Sequence, residues 1–320
     1  MRLLREKIFD ILYAAGEEYV SGEQISEQLG ITRAAVWKHI KALQDEGYTV
    51  DAVRRLGYRL RPNGIREVEL KPYLKTKWLG QEFAYFQEVD STNIYGKAWA
   101  DRGAADGAVA AADFQTQGRG RLGRQWCSPH GSGVWFSIVL RPNISPDKAP
   151  QISLTTAVGV AAGLRKLGYQ AGIKWPNDIY ISGRKVCGML TEMHASMEKV
   201  EWAVVGIGIN CLDTELPPEI ADIATTLALE GDKPVCRAEV LAEVLNALEY
   251  YYDMLYRDGF AEIRRAWLEN NITLGRRVKI STLNETFFGE AVDMREDGSL
   301  LVKREEGGEF TLVTGDVFFA

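Results

Sequence analysis

The chain has 320 residues, 46% of them hydrophobic, which predicts two or three packed units rather than a disordered or fibrous protein. Four scattered cysteines (Cys127, Cys187, Cys211, Cys236) and three unpaired histidines exclude a disulfide framework and a zinc knuckle, so any metal is expected to be a hard cation held by oxygen and phosphate. No apolar run reaches membrane-span length, and the first residues turn charged too soon for a signal core; a cytoplasmic location without membrane contact is expected.

The net charge of −6 hides an asymmetry, because residues 32–61 hold seven basic side chains against three acidic ones. A basic end on an acidic protein points to an anionic partner at that end. Leu4, Ile8, Ile11 and Leu12 recur at helical spacing, with Gly16 ending the helix. Ser21-Gly22-Glu23-Gln24 then reads as a capping box, with Ile25 and Leu29 turned inward. Thr32 caps a third helix that buries Val36, Ile40 and Leu43 and displays Arg33, Ala34, Trp37, Lys38 and Lys41. Residues 48–53 and 57–60 alternate at strand period around the pair Arg54-Arg55. Three helices and a basic hairpin predict a winged helix-turn-helix over residues 1–62, followed by the turn-rich linker Arg61-Pro62-Asn63-Gly64. In such a unit the third helix enters the major groove and the wing reaches phosphates. The candidate DNA contacts are Ser21, Thr32, Arg33, Ala34, Trp37, Lys38, Lys41, Arg54 and Arg55. A solvated basic face, or a winged helix kept for protein contacts, is the alternative.

Beyond the linker, strand-like runs occupy residues 83–86, 108–112, 134–140, 186–193 and 202–209, and helical stretches occupy 92–101, 152–167, 238–256 and 260–269. Strands and helices do not alternate strictly, so an α+β domain on a mixed sheet is expected. The run Gly118-Arg119-Gly120-Arg121-Leu122-Gly123-Arg124 joins glycines that permit close backbone approach to arginines that neutralise phosphate or carboxylate charge. With Leu122 as its lone apolar anchor, this anion-binding loop is expected to stay mobile until ligand arrives. A basic surface turn or an RNA-binding Gly-Arg tract is the plainer reading of the loop in isolation.

Other segments supply complementary chemistry. Lys174-Trp175-Pro176-Asn177-Asp178 sets a cation, a rigid turn and two oxygen ligands together. Gly183-Arg184-Lys185 precedes one strand, and Gly206-Ile207-Gly208-Ile209-Asn210 ends another. Asp90-Ser91-Thr92-Asn93 opens a helix with polar side chains and free amides suited to a neutral polar head group. Singly, each could be turn or capping chemistry; jointly they describe one pocket.

These motifs make the chain resemble the biotin protein ligase family, and its bifunctional biotin operon repressor branch, over nearly its whole length. The family's arginine loop stands at residues 118–124 followed by Trp126, its KWPND run at Lys174-Trp175-Pro176-Asn177-Asp178, and its lysine-bearing run at Gly183-Arg184-Lys185-Val186-Cys187-Gly188. The resemblance implies a central domain like those of class II aminoacyl-tRNA synthetases and lipoate ligases over residues 63–271. It also implies a small SH3-like barrel over 272–320, where Val278/Ile280, Leu300/Val302 and Phe310/Leu312 alternate. It further implies formation of biotinyl-5'-AMP from biotin and ATP, transfer of biotin to a carrier-protein lysine, and repression of biotin genes by a ligand-promoted homodimer on operator DNA. Biotin is then both substrate and corepressor precursor. Ser91, Thr92, Asn93 and Gln115 are expected at the ureido end of biotin, and Arg119, Gly120 and Arg121 over its carboxylate and the phosphate. Lys185 is expected with Arg121 at the reacting carboxylate, and Trp126 supporting the loop at the adenylate. Asn177, Asp178 and Asn210 are candidates for ATP and Mg²⁺. At Ala224-Thr225-Thr226, where the family covers the adenylate, this chain has no aromatic to stack on adenine. A lipoate ligase is the rival enzyme, but Ser91, Thr92, Asn93 and Gln115 suit a ureido group better than a dithiolane. The other rival, a sensor without catalysis, has no need of Lys185 or the arginines.

Overall fold

The computed structural model describes residues 2–16, 18–45, 48–61, 64–212, 220–282 and 285–320. Two compact units emerge, Met1–Gly64 and Ile65–Ala320.

In the first unit, α1 (Arg2–Ala14), α2 (Gly22–Leu29) and α3 (Arg33–Asp45) enclose Ile8, Phe9, Leu12, Ile25, Val36, Ile40 and Leu43. The capping box forms as the sequence predicts: the Gln24 N–H donates to Ser21 Oγ at 3.1 Å, and the Ser21 N–H to Gln24 Oε1 at 2.9 Å. Thr32 Oγ1 accepts from the Ala35 N–H at 3.2 Å, and each such cap is worth ~1 kcal/mol. The wing is β1 (Thr49–Val53) paired antiparallel with β2 (Gly57–Arg61), and Val20 bridges to Tyr58 beside it. Gly57 has φ 115°, and a Cβ there would lie 2.2 Å from Val20 O, so only glycine lets the wing meet that segment. Arg33, Ala34, Trp37, Lys38 and Lys41 are exposed on α3, as are Arg54 and Arg55 at the wing tip. Linker residues Pro62 and Asn63, where the expected domain boundary falls, lie outside the described residues.

The second unit begins with α4 (Glu67–Leu70), β3 (Phe83–Phe86), α5 (Thr92–Asp101), β4 (Val109–Ala112) and β5 (Gly133–Leu140). It continues through α6 (Pro150–Lys166), β6 (Gly172–Lys174), β7 (Asp178–Ile181), β8 (Arg184–Ala195) and β9 (Val200–Asn210). Helices α7 (Leu227–Glu230), α8 (Arg237–Asp258) and α9 (Phe260–Asn270) complete it before the tail. Its sheet runs β3-β4-β5-β9-β8-β7-β6, with β3 parallel to β4 and every other pair antiparallel, the mixed α+β sheet expected. The short strand expected to end at Lys174 is present as β6, whereas α4, α7 and β7 escape the sequence reading, because four residues carry too little periodicity.

Alternation along the strands assigns the two faces. On β5, Val134, Phe136, Ile138 and Leu140 join the main core, to which α6 and α8 contribute Val160, Leu164, Leu245 and Tyr252. Val139 of β5 turns to the other face, where Ala100, Trp202 and Val204 form a smaller cluster beside α5. The tail folds as β10 (Arg277–Ser281), β11 (Thr286–Met294), β12 (Leu300–Arg304), β13 (Glu309–Leu312) and β14 (Asp316–Phe319). Where the family resemblance implies an SH3-like barrel, these strands make an antiparallel five-stranded sheet ordered β13-β12-β11-β10-β14. Its buried Val278, Ile280, Leu300 and Val302 belong to the same core as Trp175 and Trp267. Among the described residues no helix is long and apolar enough to cross a membrane.

Candidate active site

The α5 face of the sheet is where the site forms, because three strand positions there lack side chains. A Cβ on Gly206 would lie 2.1 Å from Asn93 Oδ1, one on Gly208 2.4 Å from Trp126 Nε1, and one on Gly188 2.8 Å from Trp126 Cζ3. Glycine at these positions on β8 and β9 therefore opens a floor. Above it lies a cavity of about 560 Å³, within the range of small-molecule sites. Ser91, Thr92, Asn93, Gln115, Arg119, Gly120, Arg121, Trp126, Asn177, Asp178, Lys185 and Asn210 all line it, so every residue expected from the sequence for biotin and nucleotide converges on one cavity.

One end is a network of neutral polar groups. Gln115 Oε1 accepts from the Thr92 N–H at 2.9 Å and from the Thr92 hydroxyl at 3.1 Å, while Gln115 Nε2 donates to Ser128 Oγ at 2.9 Å. Ser137 Oγ lies 2.7 Å from Thr92 Oγ1 and 2.6 Å from Asn93 Oδ1. Two of the amides at the start of α5 are engaged within the protein rather than free: Gln115 takes that of Thr92, and Asp90 Oδ1 takes that of Ser91 at 2.6 Å. The Ser91 side chain makes no capping bond. Asn93 departs further from expectation. Its Nδ2 donates to Leu190 O at 3.2 Å and Glu192 Oε2 at 3.0 Å, so both amide hydrogens are spent inside the protein. Its position is that of a support for Thr92 and Gln115.

Cations gather elsewhere around the cavity. Lys185 Nζ is 2.6 Å from Asp178 Oδ1 and 5.4 Å from the centre of the Trp126 ring. Arg119 Nη1 reaches Glu192 Oε1 at 3.2 Å, the carboxylate oxygen that also accepts from Lys97 at 2.6 Å. Burial alone would raise the Glu192 pKa, but bonds from Lys97 and Asn93 and the charge of Arg119 outweigh it and hold the carboxyl below its ordinary range. Arg121 donates to Asn177 Oδ1 at 3.1 Å and to Gly315 O at 3.1 Å, and Arg124 pairs with Asp316. Apolar anchoring is as sparse as the sequence suggests, with Leu122 68% exposed, and the loop's contacts are polar ones from its arginines to Glu192, Asn177 and the tail.

Lys174 also departs from its expected place. It does not line the cavity; it is 7% exposed and lies 5.2, 5.7 and 5.3 Å from the ring centres of Tyr180, Phe318 and Phe319. Burial holds its pKa below the usual lysine value. Trp126 lies over Gly188 and Gly208 and meets Trp135 edge-on at 6.3 Å, and its Nε1 is buried without a partner among the described residues. Sequence reasoning did not foresee Glu192, Ser137 and Ser128, nor the apolar Ile220 and Ile223 beside the expected cover at Ala224. The available signal was the alternating Gly206 and Gly208, which marks a strand face cleared for something other than core.

Comparison with known proteins agrees with this geometry. Residues 83–210 match the Biotin/lipoate A/B protein ligase family, 4–59 an HTH domain, and 273–320 the Biotin protein ligase C terminal domain. The chain is 41% identical over 309 residues to the bifunctional ligase/repressor BirA of Bacillus subtilis, covering 95% of each. To the Escherichia coli protein of that name it is 31% identical, covering 94% of this chain and 95% of the other. Among solved structures, the biotin protein ligase of Aquifex aeolicus in complex with biotin and ATP superposes with a TM-score of 0.65 at 31% identity, covering 75% of this chain and 99% of that one. The glycine floor, the polar network and the arginine loop are thus those of a chain that belongs to the biotin protein ligase family, in its bifunctional ligase and repressor branch.

Proposed function

We propose that this protein joins biotin and ATP to form biotinyl-5'-AMP and transfers the biotin to one lysine of a carrier protein, the biotin carboxyl carrier protein of acetyl-CoA carboxylase or a related carboxylase. Its winged helix makes it a biotin-responsive repressor of biotin genes. The observation that carries the reading is one cavity with neutral hydrogen-bonding groups at Thr92 and Gln115, cations at Lys185 and Arg121, and a glycine floor between. Residues 1–62 read DNA, 63–271 carry the chemistry and 272–320 form the tail that meets the arginine loop. With ATP as a substrate and carrier proteins at hand, the cytoplasm is its place of action.

Thr92, Gln115 and Ser91 orient the ureido group, and Asn93 holds them through Ser137. Biotin's carboxylate oxygen attacks the α-phosphorus of ATP, that P–O bond forms, the bond to the bridging oxygen breaks, and pyrophosphate leaves. No protein nucleophile is required. Lys185 and the arginines act by position and charge, stabilising oxygens on which negative charge grows. In the second step the carrier lysine's amine attacks the acyl carbon and AMP departs. Arg119, Gly120 and Arg121, with Trp126 beneath, keep water from the mixed anhydride.

For Mg²⁺ the donor set is Asp178 with the amide oxygens of Asn177 and Asn210; among the described residues no cluster of three or more His, Cys, Asp or Glu exists. A carboxylate and amide oxygens beside substrate phosphates suit a magnesium ion that keeps part of its water shell, provided that Asp178 Oδ1 and Asn177 Oδ1 exchange their present partners, Lys185 at 2.6 Å and Arg121 at 3.1 Å, for the ion. When bound, the ion supplies charge neutralisation at the phosphates. The test is pyrophosphate exchange into ATP: it is expected with biotin and absent with lipoate, and equal exchange with both acids would reject the assignment.

A further inference from the structure

Strand β9 measures out the cavity floor. Gly206 lies under Asn93, Gly208 under Trp126, and the Asn210 side chain donates to Thr225 O at 3.1 Å. Steps of two residues along a strand advance about 6.6 Å, so residues 220–226 stand roughly 13 Å from the neutral polar end, by that same spacing. Ile220, Ile223, Ala224 and Thr226 of this segment line the cavity. Backbone bonds seat the segment beside Lys185, whose N–H donates to Ile223 O at 2.8 Å and whose carbonyl accepts the Thr225 N–H at 2.9 Å.

A second set of bonds lies behind that wall. The buried Thr225 hydroxyl donates to Glu230 Oε1 at 2.7 Å, and Arg184 Nη2 donates to the same oxygen at 2.8 Å. The Glu230 side chain is 6% exposed. Burial alone would raise its pKa, but bonds from Thr225, Ser182 and Arg184 prevail and hold it below the ordinary carboxylate range. Arg184 and Lys185 are neighbours on β8, so one strand offers a cation to the cavity and another to the carboxylate that fixes its wall.

We infer that Glu230 is a positioning residue for the nucleotide half of the site, setting residues 220–226 against Lys185 through Thr225 and Arg184. This rests on the reading of the cavity as the biotin and ATP site. With no aromatic in residues 220–226 to stack on adenine, the wall is formed by backbone, the aliphatic Ile220 and Ile223, and the small Ala224 and Thr226, and its register depends on the carboxylate behind it.

The test uses the full chain and three variants, Glu230→Gln, Thr225→Val and the pair combined. Weakening a charge-assisted bond is expected to raise the KM for ATP in biotin-dependent pyrophosphate exchange about tenfold, with kcat changed less than about twofold. The biotin Kd, set at the far end of β9, is expected to stay constant. Because both side chains act through one contact, the double variant is expected to match the stronger single one rather than multiply the two losses. Thr225→Val carries the test if Glu230→Gln does not fold. An unchanged KM for ATP, or parallel losses of ATP and biotin binding, would overturn the assignment. Failure of the unaltered protein to exchange pyrophosphate with biotin would instead reject the reading of the cavity itself.

Discussion

Lys185 sits 2.6 Å from Asp178, and the proposed mechanism brings the attacking carboxylate and the α-phosphate to its ammonium. Its charge matters most where negative charge grows, so Lys185→Ala is expected to slow adenylate formation about 10²- to 10³-fold and to weaken biotin binding less than about tenfold. Single-turnover kinetics beside biotin titration separates the two, and equal losses would contradict the role. Glu192 lends itself to a pH test. Its folded pKa is depressed, so its contribution to stability is full above its unfolded value of about 4.3 and is lost as pH falls through the lower folded value. Glu192→Gln is therefore expected to lower the urea midpoint at neutral pH, with the gap to the unaltered protein closing below about pH 4. A gap that stays constant into acid would remove the charge from the explanation. Residue types were legible in the sequence, but whether an amide is free was not. Asn93 reads as a ligand for a polar head until its neighbours Leu190 and Glu192, almost a hundred positions along, take its hydrogens.

At the scale of elements, the arginine loop is tied to the chain's last strand. Arg124 pairs with Asp316, and Arg121 reaches Gly315 O at 3.1 Å, contacts that no local pattern around residues 118–124 reveals. Long strands and helices were legible because apolar residues repeat along them; β7 was not, since its pairing depends on neighbours. The KWPND run gains its setting the same way, with the Trp175 N–H donating to Thr273 Oγ1 at 2.9 Å and Trp175 Nε1 to Gly298 O at 3.0 Å. Loosening the loop should expose the anhydride. Asp316→Ala is expected to speed loss of biotinyl-5'-AMP about fivefold, the effect of roughly 1 kcal/mol, measured by trapping released adenylate. Unchanged retention would mean that the contact with the tail does not shield the intermediate.

For the whole molecule, the winged helix and the catalytic unit make separable claims. Arg33, Lys38, Lys41, Arg54 and Arg55 are exposed on α3 and the wing. Each phosphate contact removed by mutation to alanine is expected to lower the slope of log affinity against log salt by ~1 on the protein's own biotin-gene promoter. A slope that does not move would leave the winged helix as a module for protein contacts. If ligand promotes a homodimer, as we propose, the same promoter should be bound more tightly with biotinyl-5'-AMP present, since a two-fold dimer would present two α3 helices to two half-sites. The domain order was readable from end to end because each unit carries its own periodicity and motifs, whereas coupling between units is a property of populations and leaves no local signature. The central claim, transfer of biotin, is tested most directly by intact-mass measurement of a purified carrier domain incubated with the protein, ATP, Mg²⁺ and either biotin or lipoate. The account predicts a gain of one biotinyl group on one lysine with biotin, none with lipoate, and none when ATP is omitted. A carrier that gains lipoyl as readily as biotinyl, or that gains neither, would contradict it.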